Sequence, residues 1–265
     1  MADRLKGNDA QAWLQKIKPS NSNTRISVGS QRDTRSAPVR SSGHLESGSP
    51  DNLGLTSERL RQRMVQRVSE QGVTHQVVLD ALNAVARHRF VDAGLASRAY
   101  EDGALPIGYG QTISQPWVVA RMLAALCQPD MPNKVLEIGT GCGYQAAVMA
   151  KIFANVFTIE RVRPLYDIAK SRLQGLGVHN VHCQFGDGML GWQSRAPFGA
   201  IVVAAAGLSI PQALLDQLAV GGKLIAPEGD TVQRLIMVTR QSESQWVRNE
   251  LESVRFVPLR PGVQN

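Results

Sequence analysis

A chain of 265 residues with 43% hydrophobic content can bury one sizeable globular core and leaves some chain to spare. Its formal charge of +7 divides into +3 over residues 1–57 (eight basic, five acidic) and +4 over the other 208 (21 basic, 17 acidic), a mixture that argues against nucleic acid as a partner. Three widely spaced cysteines (Cys127, Cys142, Cys183) without a CxxC pair argue against a disulfide framework, and with neither a signal-like apolar segment nor a bilayer-length run the expectation is a soluble, cytoplasmic protein.

Residues 19–57 are rich in Ser, Gly, Asn, Arg and Pro and nearly free of large apolar side chains. Such a stretch cannot bury enough surface to offset the entropy of ordering it. Residues 1–57 therefore read as a flexible extension, with a single apolar patch at Ala12-Trp13-Leu14 and Ile17. The folded domain is expected over 58–265, with Ser57 as an N-cap. Leu60, Met64, Val65 and Val68 fall on one helical face that Gly72 closes, and Thr74 is placed to cap a second helix through Val77, Val78, Ala81, Leu82 and Val85. A turn-rich segment from Arg87 to Ser114 follows, and Pro116 opens a third helix to Leu126.

Beyond Asn133 the pattern alternates. Strands are expected at Lys134–Ile138, Asn155–Ile159, Val181–Phe185, Gly199–Val203 and Lys223–Ala226, with helices at Tyr144–Ile152, Pro164–Leu176 and Pro211–Leu218. Near-continuous apolar strands between amphipathic helices imply an α/β fold whose mostly parallel sheet is covered on both faces. Arg234–Thr239 and Gln245–Val257, with a turn near Gln241–Ser244, read as a C-terminal antiparallel hairpin.

The run Val135-Leu136-Glu137-Ile138-Gly139-Thr140-Gly141-Cys142-Gly143-Tyr144 takes a buried strand into a glycine turn and then a helix. Such turns bring backbone close to a nucleotide-like cofactor. In open parallel sheets ligands gather beyond the strands' carboxyl ends. Two acidic residues sit at the next two such ends: Glu160, placed to accept from ribose hydroxyls, and Asp187 within Gly186-Asp187-Gly188, placed to accept from an adenine amino group. Each also has a plainer reading, as tight strand–helix packing, a helix N-terminal charge or a turn residue; their register at successive strand ends favours a shared site. The dinucleotide fingerprint places its third glycine five residues after the first, whereas position 144 here is tyrosine, so the spacing favours S-adenosylmethionine over NAD.

Together with Leu105-Pro106-Ile107-Gly108-Tyr109-Gly110-Gln111-Thr112-Ile113-Ser114-Gln115-Pro116, the glycine segment resembles the protein-L-isoaspartate O-methyltransferases from about Arg61 to Pro261. Arg87-His88-Arg89-Phe90-Val91, Ala99-Tyr100-Glu101-Asp102 and the Gly221-Gly222 turn add to the likeness. The resemblance implies a Rossmann-like class I S-adenosylmethionine-dependent methyltransferase fold. It implies repair chemistry: direct in-line transfer of a methyl group to the α-carboxylate of an L-isoaspartyl residue, in a damaged protein or peptide that is the partner of a monomeric enzyme. The ester then collapses to a succinimide unaided. Ser114 stands at the family's active-site serine, as a hydrogen-bond donor that orients the acceptor and not as a nucleophile; no GxSxG elbow surrounds it. Thr112 and Ile113, with Gln111, are expected against the cofactor, as are Glu137, Gly139, Gly141, Gly143, Glu160, Arg161, Gly186 and Asp187. The bland alternative for Ser114 is a helix cap before Pro116.

Three departures stand out: Cys142 where serine is common, which adds a site of possible oxidation; Ala86 in place of proline; and a variant Ala206-Gly207-Leu208-Ser209 segment. No residues are carried over from Gly262–Asn265. His179, His182 and Cys183 straddle a strand start, so their side chains diverge and no metal site is expected. Two other functions remain open: methyl transfer to a small molecule or RNA, and a non-enzymatic module whose basic tail recruits nucleic acid.

Overall fold

The structure, a computed structural model, describes residues 54–127 and 129–265; the expected extension up to residue 53 lies outside them. Helix α1 (Gly54–Glu70) begins a turn earlier than Ser57, because no glycine or proline after Gly54 interrupts the helix before Gly72. Helix α2 (Gln76–Ala84) is capped by the His75 backbone and not by Thr74, with Val78 and Leu79 donating to the His75 carbonyl at 3.0 and 3.1 Å. The turn-rich segment resolves into 3-10 turns at Arg87–Phe90 and Ala93–Arg98 and a small antiparallel hairpin, β1 (Leu105–Gly108) with β2 (Gln111–Ile113). Tyr109 at the hairpin's tip takes a φ of 53°, the left-handed region that short turns require. Helix α3 (Pro116–Leu126) follows with proline in its first turn.

The main sheet has seven strands in the order β5-β4-β3-β6-β7-β8-β9. These are β3 (Lys134–Ile138), β4 (Asn155–Glu160), β5 (Val181–Phe185), β6 (Phe198–Val203), β7 (Leu218–Glu228), β8 (Gln233–Arg240) and β9 (Trp246–Val254). Strands β3 to β7 are parallel to one another, β8 runs antiparallel to β7, and β8 and β9 pair antiparallel as the expected hairpin. Helices α4 (Tyr144–Met149), α5 (Arg163–Gly175) and α6 (Gln212–Asp216) lie in the crossovers. The expected elements agree in order and kind, with ends shifted by a few residues. The largest difference is β7, which gains residues at both ends.

Strand alternation sorts the core into two layers. Val135, Val156, Ala200, Val202 and Ile225 meet α1 to α4 on one face, where Met64, Leu82, Met122 and Met149 are fully buried. Leu136, Ile138, Phe157, Ile201 and Leu224 meet α6 and its flanking turns on the other, through Leu214 and Leu218. His182 stacks on Phe157 with ring centroids 4.8 Å apart. The chain leaves β3 first toward β4 and β5, then returns to β6 on β3's other side, so the sheet's switch point lies between β3 and β6. No helix among the described residues is long and apolar enough to cross a membrane.

Candidate active site

A cleft opens at that switch point, where the rule for open parallel sheets places a ligand. Its floor is the glycine turn. Gly139, Gly141 and Gly143 have φ of 91°, 54° and 88°, all in the region that excludes side chains. They serve different ends. Gly141 borders the cleft opposite Ile107 of β1, and a Cβ on it would come within 3.2 Å of that side chain. Gly143 faces away, where a Cβ would meet Ala169 and Leu173 of α5 at 3.4 Å, so it lets helix and turn pack closely.

Glu160 at the end of β4 is 4% exposed and lines the cleft. One carboxylate oxygen accepts the Gly141 N–H at 2.8 Å and the other the Val162 N–H at 2.9 Å. No cation pairs with it among the described residues. Each oxygen thus keeps acceptor capacity for a hydroxyl donor. Around it Ile138, Ile159, Val162 and Leu259 supply apolar wall. A rigid, partly satisfied carboxylate beside apolar surface and side-chain-free backbone fits the ribose and adenine of S-adenosylmethionine. The chain can hold that cofactor.

The structure brings Gln111, Thr112, Ile113, Ser114, Gly139, Gly141, Glu160 and Arg161 together on this cleft. Gly143, Gly186, Asp187 and Glu137 are set back from it. Asp187 is engaged elsewhere: it accepts from Met189 N at 2.8 Å and from Gly262 N at 2.6 Å. Glu137 follows the strand's alternation into the layer below, is 0% exposed, and accepts from Thr158 Oγ1 at 2.6 Å. Thr158 in turn meets Thr140 of the glycine turn at 2.5 Å.

Burial pushes the Glu137 carboxyl up to about 8 from an ordinary 4.5, with the Thr158 hydrogen bond opposing the rise. The folded protein therefore holds a proton that the unfolded chain releases. Stability from this residue is complete below the unfolded value and drains as pH rises through the folded one, at up to about 1.4 kcal/mol per pH unit. Glu137→Gln removes that dependence. Urea midpoints measured at about pH 5 and about pH 9 are expected to separate variant from parent mainly at the alkaline end. Parallel shifts at both would show that Glu137 is ionised in the fold.

Cys142 is buried within the turn, and burial raises its pKa, with the Tyr144 backbone and Arg87 opposing, so its thiolate is disfavoured. That works against the oxidation sensitivity its exposed counterpart would carry.

Ser114 is not a cap. The N-cap of α3 is Gln115, and its side chain makes no capping bond either. Instead Ser114 lines the cleft and also a neighbouring groove formed by Gln115, Trp117, Val118 and residues 253–257. Thr112, Ser114, Ala204 and Val257 are common to both, and form the wall where they adjoin.

The wall from Val257 to Arg260 escaped the sequence reading, which assigned Val257 to a strand. The chain leaves β9 at Val254 and crosses the sheet's carboxyl edge, fixed by main-chain bonds. Ala206 N donates to Val257 O at 2.8 Å and Leu259 N to Ala206 O at 2.7 Å. The variant Ala206–Ser209 segment thus makes its contacts with this wall through backbone, which a side-chain pattern does not reveal.

Residues 58–264 match the family model described as protein-L-isoaspartate(D-aspartate) O-methyltransferase. A protein-L-isoaspartate O-methyltransferase of Bordetella parapertussis is 59% identical over 250 residues, 94% of each chain. A solved protein-L-isoaspartate O-methyltransferase superposes with a TM-score of 0.70 at 28% identity, covering 77% of this chain and 67% of its own. A Plasmodium falciparum beta-aspartate methyltransferase, solved in complex with S-adenosyl-L-homocysteine, gives 0.65 at 25% identity over 76% of this chain and 98% of its own. The fold is that of the class I S-adenosylmethionine-dependent methyltransferases, and the chain belongs to the protein-L-isoaspartate(D-aspartate) O-methyltransferase family.

Proposed function

We propose that the chain repairs damaged proteins by moving a methyl group from S-adenosylmethionine to the α-carboxylate exposed by an L-isoaspartyl residue, with Ser114 orienting the acceptor. The observation that supports this reading is the shared wall: a donor in the glycine-turn cleft and a peptide in the neighbouring groove would meet at Ser114, which lines both.

When bound, S-adenosylmethionine supplies a methyl group activated by its sulfonium. The protein's share is placement. Glu160 holds the ribose hydroxyls, and Gly139 and Gly141 let the backbone approach. The Ser114 hydroxyl donates a hydrogen bond to the acceptor carboxylate, which stays ionised. Carboxyl groups ionise near ~3–4, so the acceptor is already a nucleophile at neutral pH and no general base is needed. Ile113, 4% exposed, keeps water from the junction. Positioning of this kind can supply roughly 7–11 kcal/mol.

The partner is an isoaspartyl-containing protein or peptide, met by a monomer in the cytoplasm, without nucleic acid. The +4 balance of residues 58–265 supports the last point. The free edge strand β9 supports the monomer, since Arg248, Glu250 and Glu252 are charges that deter edge-to-edge pairing. We place the methyltransferase domain at 58–265, with residues 1–57 as its extension; where the family match begins supports this division, although α1 reaches back to Gly54 across that boundary.

The test is a pair of peptides identical except for an isoaspartyl or aspartyl linkage, each incubated with methyl-labelled S-adenosylmethionine. The isoaspartyl peptide is expected to take label and lose it as methanol in mild base. Equal labelling of both would remove repair specificity, and label in a small molecule or RNA alone would move the acceptor to those classes.

A further inference from the structure

One buried cation has no task in the reading above. Arg87, which opens the 3-10 turn after α2, is 0% exposed. Its Nε donates to the Ala99 carbonyl at 2.8 Å and its Nη2 to the Ser114 carbonyl at 2.7 Å. Its guanidinium lies over the ring of Tyr144, 4.8 Å from the centroid. No carboxylate pairs with it and its Nη1 makes no hydrogen bond, both among the described residues. An ion buried without a counter-charge costs several kcal/mol, and an apolar side chain of similar volume could fill the space more cheaply. What an apolar residue cannot do is join two carbonyls from separate segments to an aromatic ring.

Two of those partners, Ser114 and Tyr144, border the site. Ser114 carries the hydroxyl at the junction of cleft and groove. Tyr144 is the first residue of α4, directly after the glycine turn, and lines the cleft. Phe90, at the other end of the Arg87–Phe90 turn, packs edge-on to Tyr144 with centroids 5.5 Å apart. Arg172 of α5 ties the same turn to the glycine turn, donating through Nη1 to Phe90 O at 3.3 Å and Cys142 O at 3.0 Å. The short turn after α2 is therefore a brace between the acceptor's serine and the cofactor's floor.

We propose that Arg87 is a positioning residue for methyl transfer, holding the Ser114 backbone by its carbonyl so that the hydroxyl is presented at a fixed height above the glycine turn. This rests on the acceptor-orienting role of Ser114. Arg87 touches neither substrate nor cofactor, and acts through the serine.

A double-mutant cycle reads this directly, because residues acting through one another are non-additive while a general loss of fold adds. The four proteins are the parent, Arg87→Lys, Ser114→Ala and the double variant. Lysine keeps the charge and reaches one carbonyl at a time; Arg87→Gln, neutral with one amide donor, repeats the cycle should lysine fold poorly. In the parent background Arg87→Lys is expected to lower kcat for an isoaspartyl peptide about 30-fold, a displacement effect, with affinity for S-adenosylhomocysteine within about 3-fold of the parent's. In the Ser114→Ala background the same change is expected to lower kcat less than about 3-fold. Equal losses in the two backgrounds, an equal loss of cofactor affinity, or failure of both Arg87 variants to fold would overturn the proposal and leave Arg87 a post of the fold. An inert Ser114→Ala is a different result: it removes the serine's role first, and the positioning role with it.

Discussion

Glu160→Ala is expected to weaken S-adenosylhomocysteine binding by about 10²–10⁴-fold, measured by titration calorimetry. Hydrogen bonds to a charged acceptor contribute about 1.5–3 kcal/mol each, every 1.4 kcal/mol is a decade in affinity, and the ribose offers two hydroxyls. The alanine also strands two backbone donors, Gly141 N and Val162 N, that the carboxylate now satisfies. The glycine turn is thereby loosened where it must stay close to the ligand. Glu160→Gln keeps one acceptor oxygen and is expected to fall between the two. The same ordering should appear in the rise of melting temperature on adding S-adenosylhomocysteine, because ligand stabilisation follows the ratio of concentration to Kd. An affinity unmoved by Glu160→Ala would remove the ribose role and leave the residue as a brace of the turn.

Much of this architecture is legible in the sequence because burial on both faces makes the parallel strands nearly continuous apolar runs. Phe198–Val203, buried everywhere but Gly199, carries that signal from end to end, whereas the edge strand Val181–Phe185 interrupts it with His182 and Gln184. Strand β7 does not. The Gly221-Gly222 turn residues lie inside it, and Gly222 packs so closely that a Cβ would meet the Ala219 and Gly199 carbonyls at 2.8 and 2.9 Å. A strand that needs glycine for close approach reads locally as a turn. The β1–β2 hairpin is equally faint, since its seven residues include only two deeply buried side chains, Leu105 and Ile113.

The cofactor site divides along the same line. Glu160 and Gly141 are readable because the strand end and the turn dictate where they point. Glu137 lies two residues before that turn, and the strand's two-residue period turns it toward Thr158 and away from the cleft. Asp187 sits at the right strand end, yet the backbone of Gly262, 75 residues away, takes one of its oxygens. That partner arrives by tertiary folding alone. Arg87 is another such case. Its neighbours in sequence say nothing of the Ser114 carbonyl that the fold brings to its Nη2.

Ser114→Ala is expected to lower kcat about 10²-fold while leaving S-adenosylhomocysteine affinity within about 3-fold, since a misplacement of about 1 Å between reacting atoms can cost that much. The residue belongs to the wall common to cleft and groove, where donor and acceptor would meet. It is not consumed by the helix, because Gln115 occupies the cap of α3. The acceptor is anionic before and less so after transfer, so a donor that fixes its direction must not bind it so strongly that nucleophilicity is lost; a neutral hydroxyl meets that demand better than an ammonium. Ser114→Thr retains the hydroxyl and is expected to keep more activity than alanine. Ser114→Lys, with a charge-assisted donor, is expected to lower kcat and KM together, because it stabilises the carboxylate in the ground state. Steady-state kinetics on one isoaspartyl peptide across the three variants decide it. If alanine and threonine lost cofactor affinity in step with kcat, Ser114 would be part of the cofactor's wall and the acceptor would be oriented by another group.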